Sequence, residues 1–407
     1  MSAAAETNQP EGRLPGLSRT VLGVLVLGSA INPIAINMFV PAIPEMIRSL
    51  QTDVTTVQLV LSSYLFSTAV AQLAIGPLSD RFGRRPVLIG GLGVFALATL
   101  ACMLAPNVGT LIAARVAQGA GGCAGMVLSR AVVRDRYERD RAASVLGYVT
   151  MAFAIAPMIG PALGGVFNDL LGWRSIFAFQ LALAVLAAGL TFTMVPETRR
   201  LPGPDESRPR FTTAVATLIR IPAFWGYALT LAFGVSVFFT FLGGSPVIAS
   251  ELLGMTGTEY GLFFACTPIG FMFGNFLTGR YSNEVGLTRM MIIGTVVAIV
   301  GVLIIAALFA LGVVHPLALF LPMFLSGMAN GMTFANSIAG AVSLRPQYAG
   351  TASGLAGSMQ VTGGAIASVL IGILMGAIHS IFTMLATMLV FAVLSFGAAV
   401  WAHVKQP

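Results

Sequence analysis

Charge is what this 407-residue chain has least of. Asp, Glu, Lys and Arg together make up 9% of it, against about a quarter in soluble proteins. Lysine is nearly absent, since all but Lys405 of the 22 cations are arginine. No Gly-x4-Gly-Lys-[Ser/Thr] run occurs, which excludes ATP drive through a P-loop within this chain. Three cysteines, Cys102, Cys123 and Cys266, each stand alone in an apolar run with no CxxC or Cys/His spacing. They read as packing thiols rather than a disulfide frame or a metal site. The three histidines, His315, His379 and His403, lie at the ends of apolar runs, and no Ser/His/Asp or paired-carboxylate constellation accompanies them. A membrane enzyme or a non-transporting receptor is therefore disfavoured, and no metal or cofactor is expected.

What is abundant is apolar sequence, at 57% of residues and a mean hydropathy of +0.89. Twelve runs are long enough to cross the roughly 30 Å of bilayer hydrocarbon as helices. They fall near 19–44, 56–77, 86–105, 108–130, 142–167, 174–195, 222–249, 258–280, 288–312, 316–341, 350–376 and 379–403. They are continuously apolar rather than alternating, which excludes spanning β-strands. The expected class is an all-α membrane protein with twelve transmembrane helices. The first run is too long for a signal-peptide core and no small-residue cleavage site follows, so it is read as span 1.

The net charge of +7 could suggest nucleic acid, but the cations alternate by side. The N-terminus, the turns after spans 2, 4, 6, 8 and 10, and the tail carry 19 of them; the opposite loops carry Arg48 and Arg174, and Arg115 lies inside span 4. That positive-inside bias expects both termini in the cytoplasm, a lipid bilayer as surroundings and no nucleic-acid partner.

Residues 196–221 form the only long polar stretch away from the termini, with prolines and both charge signs. They read as a cytoplasmic linker between a six-helix bundle at 19–195 and another at 222–403, after a tail at 1–18. A half-chain echo supports two pseudo-symmetric halves. Gly76-Pro-Leu-Ser-Asp80-Arg81-Phe-Gly83-Arg84-Arg85 packs four charges into six positions, and Gly279-Arg-Tyr-Ser282-Asn283-Glu-Val-Gly286 repeats it weakly 203 residues later. Parallel repeats of six spans describe a transporter. The second copy has Asn283 in place of Asp80 and lacks the arginine pair, so the halves are not equivalent. Small residues at one-turn spacing mark spans 5 (Ala156, Gly160, Gly164) and 11 (Gly364, Ser368, Gly372, Gly376) as close-packing helices. Pro157 and Pro161 make span 5 locally deformable as well.

These motifs resemble the major facilitator superfamily, and within it the bicyclomycin/chloramphenicol-resistance group of twelve-span drug exporters. Residues 76–90 resemble the superfamily's loop 2–3 signature nearly letter for letter. Arg115-Val-Ala-Gln118-Gly119 resembles the span 4 signature. Gly147, Ala156, Gly160, Pro161, Gly164 and Gly165 resemble the span 5 antiporter signature, with alanine at one glycine position. Asn37-Met-Phe-Val-Pro41-Ala-Ile-Pro44 resembles the end of span 1 in this group. The resemblance implies secondary efflux of small amphipathic drugs, phenicol- or bicyclomycin-like, across the bacterial inner membrane by alternating access and proton antiport, by a monomer. An exporter of an endogenous metabolite with different or no proton coupling is the alternative.

The resemblance also implies a gate at Gly76, Asp80, Arg81, Gly83, Arg84 and Arg85, with Arg130 and Arg134 ending span 4. Asp80 can pair with Arg84, Arg130 or Arg134, or face the start of span 11 near Gly350. Gating is preferred to mere anchoring because an anchor needs neither the acid nor Gly83. Arg115, about 10 Å inside span 4 by helical rise, is read as a substrate or coupling residue rather than a snorkelling one. Gln118 lies one turn along. Many relatives carry an aspartate where this chain has Asn37, and no Asp or Glu lies deep in any span. Coupling then falls to a shallower acid such as Glu45 or Asp53, or works differently. The substrate pocket is sketched from Asn32, Asn37, Tyr64, Gln72, Arg115, Gln118, Asn275, Asn336 and Gln360, with phenylalanines such as Phe66, Phe241 and Phe264 as lining. Amides and aromatics without a deep carboxylate favour neutral or weakly anionic cargo.

Overall fold

The computed structural model describes residues 17–137, 139–198 and 211–405, with the side chains of 139–144, 146–154 and 211 outside the described set. Among the described residues the chain is helical throughout, broken by short turns and without strands. In the first half, span 1 is α1 (Arg19–Asn37) continued through a 3-10 turn into α2 (Ile43–Ser49). Spans 2 to 6 are α3 (Val54–Phe82), α4 (Arg84–Met103), α5 (Val108–Arg136), α6 (Arg139–Leu171) and α7 (Arg174–Met194). In the second half, span 7 is α9 (Pro222–Glu251), and span 8 is α10 (Gly257–Phe264) with α11 (Cys266–Val285). Span 9 is α12 (Leu287–Ala310), and span 10 is α13 (Pro316–Phe320) with α14 (Met323–Ser343). Spans 11 and 12 are α15 (Ala349–Ala377) and α16 (Ile381–Val404). The stretch read as a linker also carries a helix, α8 (Phe211–Leu218). Its eight residues hold no Gly or Pro, and Ala214 and Leu218, four apart on one side, are buried.

Local chemistry sets the helix ends. Ser18, Asp53, Asn107 and Ser380 each accept a backbone N–H of the first turn they precede, as N-caps do. At Asp53 the N–H and hydroxyl of Thr56 hold the carboxyl below the usual carboxylate range. It is a cap and stays ionised. Gly83 (φ 100°) and Gly286 (φ 91°) each join two spans through one residue in a conformation that needs glycine. The half-chain echo is thus a structural repeat.

Glycines let each bundle close. A Cβ at Gly125 of span 4 would strike the Gly28 carbonyl of span 1, and one at Gly119 would strike span 2 at Tyr64 and Ser67. In the second half, Gly270, Gly274 and Gly327 interlock spans 8 and 10 in the same way.

The two bundles meet on the face away from the arginine-rich turns. There Thr55 donates its hydroxyl to the Gly372 carbonyl at 3.0 Å, and Gln58 Nε2 donates to the Gly243 carbonyl at 2.6 Å. Ser368 donates to Gln58 Oε1 at 3.2 Å. Farther along, Ser358 donates to the Ala69 carbonyl at 3.4 Å, and a Cβ at Gly357 would lie 2.7 Å from Gln72 Nε2. One turn beyond, the facing glycines are open. A Cβ at Gly76, or at Gly354 or Gly350 on the facing helix, would meet nothing within 4 Å. Among the described residues, the bonds between the bundles lie toward the far face, and spans 2 and 11 leave open space between them at Gly76, Gly350 and Gly354 on the arginine face.

Candidate functional site

Arg115 sits at the centre of the first bundle with no exposed surface, so the snorkelling reading does not hold. Its Nη1 donates to Gln118 Oε1 at 2.7 Å and to the Ala35 carbonyl at 3.3 Å, and Nε donates to the Val60 carbonyl at 3.3 Å. The guanidinium lies 4.2 Å from the Tyr64 ring centroid and 5.1 Å from that of Phe39. No carboxylate pairs with it among the described residues. Carbonyl dipoles and aromatic faces from spans 1 and 2 offset the cost of burying the charge. Gln118 Nε2 donates onward to Thr99 of span 3 at 2.8 Å and to Gln180 of span 6 at 3.1 Å. Arg115 Nη2, Gln180 Nε2 and Asn32 Nδ2 remain buried without acceptors. An electron-rich ligand group can take such donors once the bundle opens to it.

The pocket sketched from sequence is only partly assembled. Asn32, Tyr64, Arg115 and Gln118 converge, but all four are buried in the first bundle rather than exposed in the cleft. Asn37 is buried, donates to the Pro33 carbonyl at 2.8 Å and leaves Oδ1 unpartnered. Asn275 and Asn336 each donate to the carbonyl four residues back, at 2.9 and 2.7 Å, and Asn336 also to the Thr278 hydroxyl at 3.5 Å. Gln72 and Gln360 are half-buried on the facing spans 2 and 11. Phe241 and Phe264 stack at 6.2 Å within the second bundle's core instead of lining a pocket, and Phe66 is 60% exposed.

At the charged turn, Arg84 is the partner shown for Asp80, at 2.8 Å, and its Nε also meets Asp135 of span 4 at 3.1 Å. The Glu197 carboxylate accepts the backbone N–H of Arg84 at 2.9 Å and of Arg85 at 3.2 Å. It caps span 3 from the end of span 6, and Arg85 also donates to the Phe192 carbonyl. Arg81 lies over the Phe82 ring, 5.3 Å from its centroid. Arg130 is half-buried and Arg134 exposed. Glu197 and Asp135 escaped sequence reading because the echo pointed along the chain, not across it.

In span 5, a Cβ at Gly160 would lie 3.0 Å from Asn37 Cβ, and one at Gly164 would strike the Met38 carbonyl. Gly165 faces span 8, where a Cβ would strike the Gly257 carbonyl, and the Pro161 carbonyl abuts Gly261. Ala156 is buried, and the surroundings of Gly147 lie outside the described residues. Gln58, whose two bonds join spans 2, 7 and 11, was missed. Its signal was available: Thr55, Gln58, Ser62, Ala69, Gln72 and Gly76 repeat at helical spacing along one face of span 2.

Two repeat-related six-helix bundles, shut on one face and parted on the other around a polar interior, define a secondary transporter. The chain belongs to the Major Facilitator Superfamily, whose family model matches residues 25–368. It is 31% identical to multidrug resistance protein D of Escherichia coli (strain K12), over 95% of this chain and 98% of that protein. A bicyclomycin resistance protein homolog of Haemophilus influenzae is 30% identical over 85% of this chain and 88% of its own length. A chloramphenicol resistance protein of Pseudomonas aeruginosa is 32% identical over 75% and 72%. These relatives place the chain in the bicyclomycin/chloramphenicol-resistance group. The fold also matches a bacterial homolog of the human lysosomal transporter Spinster, with a TM-score of 0.78 at 16% identity over 96% of this chain and 98% of that one. For a D-xylose-proton symporter the TM-score is 0.76 at 15% identity over 95% and 98%. The apolar helices and bacterial relatives make it a multi-pass protein of the inner membrane that binds small molecules.

Proposed function

We propose that this chain exports small amphipathic drugs, neutral or weakly anionic, by alternating access coupled to proton entry, acting as a carrier and not as an enzyme. The moving bodies are residues 19–195 and 222–403, joined by 196–221. With both termini cytoplasmic, as the arginine distribution favours, the parted arginine face is the cytoplasmic one and the structure is open inward. The observation that carries the reading is this asymmetric closure between the bundles, one of which buries Arg115 with spare donors, supported by the drug-resistance names of the relatives. A buried cation with spare donors and no carboxylate attracts acceptors such as carbonyl, nitro or hydroxyl oxygens and repels cations. The clamp of Asp80, Arg84, Asp135 and Glu197 ties spans 2, 3, 4 and 6 together and moves with the first bundle as one piece.

The test is susceptibility of a pump-deficient host expressing the chain, followed by transport into inside-out vesicles. Raised resistance to phenicols or bicyclomycin, and uptake driven by an imposed ΔpH, are expected. Unchanged susceptibility overturns drug export; uptake that neither an imposed ΔpH nor an imposed Δψ drives overturns proton coupling, since exchange of a proton for a neutral molecule moves net charge and responds to both.

A further inference from the structure

One of the bonds that close the far face is a carboxylate of one bundle on a helix end of the other. Asp169, two residues before the end of span 5, reaches the first turn of α10. Its Oδ2 accepts the Thr258 N–H at 2.8 Å and the Thr258 hydroxyl at 2.7 Å. The same helix end is otherwise closed from within. Thr256 and Glu259 form a capping box, with bonds of 3.2 and 2.9 Å. Thr258 therefore holds an N–H that α10's own capping leaves over, and a residue of the other half takes it. The negative charge also suits the positive end of the helix. Asn168 Nδ2 donates to Asp169 Oδ1 at 3.2 Å and orients the carboxylate. Around the bond the backbones touch, and a Cβ at Gly257 would lie 2.8 Å from Asp169 Oδ1 and 3.3 Å from Gly165 Cα. The bond is made only when the two bundles are in contact.

We propose that Asp169 is a positioning residue of the far gate: its bond to Thr258 holds that face shut while the arginine face is open, and its loss shifts the carrier toward the state open on the far face. The inference rests on the alternating-access reading above. A contact present in one state alone enters the balance between states, not the affinity of either state for substrate.

The experiment uses the full chain in lipid nanodiscs with Cys102, Cys123 and Cys266 replaced by alanine and Ala162→Cys as reporter. Ala162 abuts Gly261 across the interface, since a Cβ at Gly261 would lie 2.6 Å from its Cα. The readout is the rate of labelling by a charged maleimide, without substrate. Asp169→Ala should raise the rate about fivefold, the worth of one helix cap. Asp169→Asn keeps an acceptor but not the charge and should raise it about twofold. Thr258→Pro removes both donors at a first-turn position that tolerates proline. It should match Asp169→Ala, and the double variant should add nothing to either; it also serves if Asp169→Ala fails to fold. Gly165→Leu, which cannot close against Gly257, sets the upper limit.

If Gly165→Leu speeds labelling while Asp169→Ala and Thr258→Pro do not, the proposal is overturned and alternating access stands. If no variant speeds it, the far face never opens and both fail. An additive double variant overturns the specific contact in favour of general loosening. If labelling responds as expected and vesicles show no drug uptake, the gate stands and the export reading alone fails.

Discussion

The two six-helix halves follow the same path and fill their interiors differently. In the first, spans 1, 2, 3, 4 and 6 close around Arg115, Gln118, Thr99 and Gln180. In the second, spans 7, 9, 10 and 12 surround a cavity lined by Gly234, Thr295, Ser326, Asn330, Thr333 and Ser395, with no charged group on its walls. The turns differ in the same sense. Gly83 is followed by an arginine pair tied to Asp80, Asp135 and Glu197, while Gly286 is followed by Leu287-Thr288. The two turns share a backbone geometry that needs only glycine, and differ in charge. In the proposed transport cycle the first bundle carries the charged chemistry and the second is the neutral wall against which it moves.

Removing Arg115 should break this asymmetry most severely. Arg115→Ala should cut vesicle transport about 100-fold or more while leaving membrane insertion intact, because the buried network loses its only charge. Arg115→Lys should not rescue it, since an ammonium cannot reproduce the planar fork that meets Gln118 and two carbonyls. Transport retained at half or more by Arg115→Ala would show that the charge is only structural.

The charged turn should come next. Asp80→Asn and Glu197→Gln should each lower turnover about 10-fold with little change in half-saturation, the signature of a conformational step. Asn283→Ala, at the second copy, should stay within about twofold. Equal losses at both turns, measured as efflux kinetics, would erase the distinction between halves.

A smaller effect is expected at position 37, where the buried amide meets Gly160. Asn37→Asp introduces a titrating group where the present side chain has none, so its transport should depend more steeply on pH than the parent's. A profile superimposable on the parent's would place position 37 off the proton path. The least effect should come from Gly234→Ala in the second bundle. The added methyl would meet Asn330, Ser395 and Thr333 at 3.5–3.7 Å, ordinary contact distances. Replacing a mid-helix glycine should raise stability by about 0.5–1 kcal/mol, read as a thermal midpoint about 1–3 °C higher. A lowered midpoint would mean that the cavity's polar groups need the space, and that the second half is less permissive than its neutral lining suggests.

The spans, the doubled architecture, the Gly83 and Gly286 turns and the burial of Arg115 could all be read along the chain. Each rests on a local requirement: bilayer thickness fixes run length, positive φ demands glycine, and an arginine inside a span must find partners. Partners from distant segments could not be read that way. Nothing near Arg84 in sequence points to Glu197, and nothing near Asp169 points to Thr258. Gln118 was visible beside Arg115, whereas Thr99 looked like any threonine in an apolar helix. Which amides face the cleft could not be read along the chain, because a polar residue in a membrane helix satisfies its own backbone as readily as it faces a cleft, as Asn275 and Asn336 do.

By itself, then, the sequence determined where the long apolar helices fall, where the chain turns, and that its halves are unequal in charge. Those properties follow from hydrophobic length, backbone sterics and charge count, which each segment carries alone. Tertiary structure alone decided which face is shut, which carboxylate caps which helix, and that Arg115 rests on aromatic rings and carbonyls instead of an acid. Such contacts depend on how helices pack within and between the bundles, and packing joins surfaces far apart in the chain, 55 residues at Arg115 and Val60 and 113 at Arg84 and Glu197.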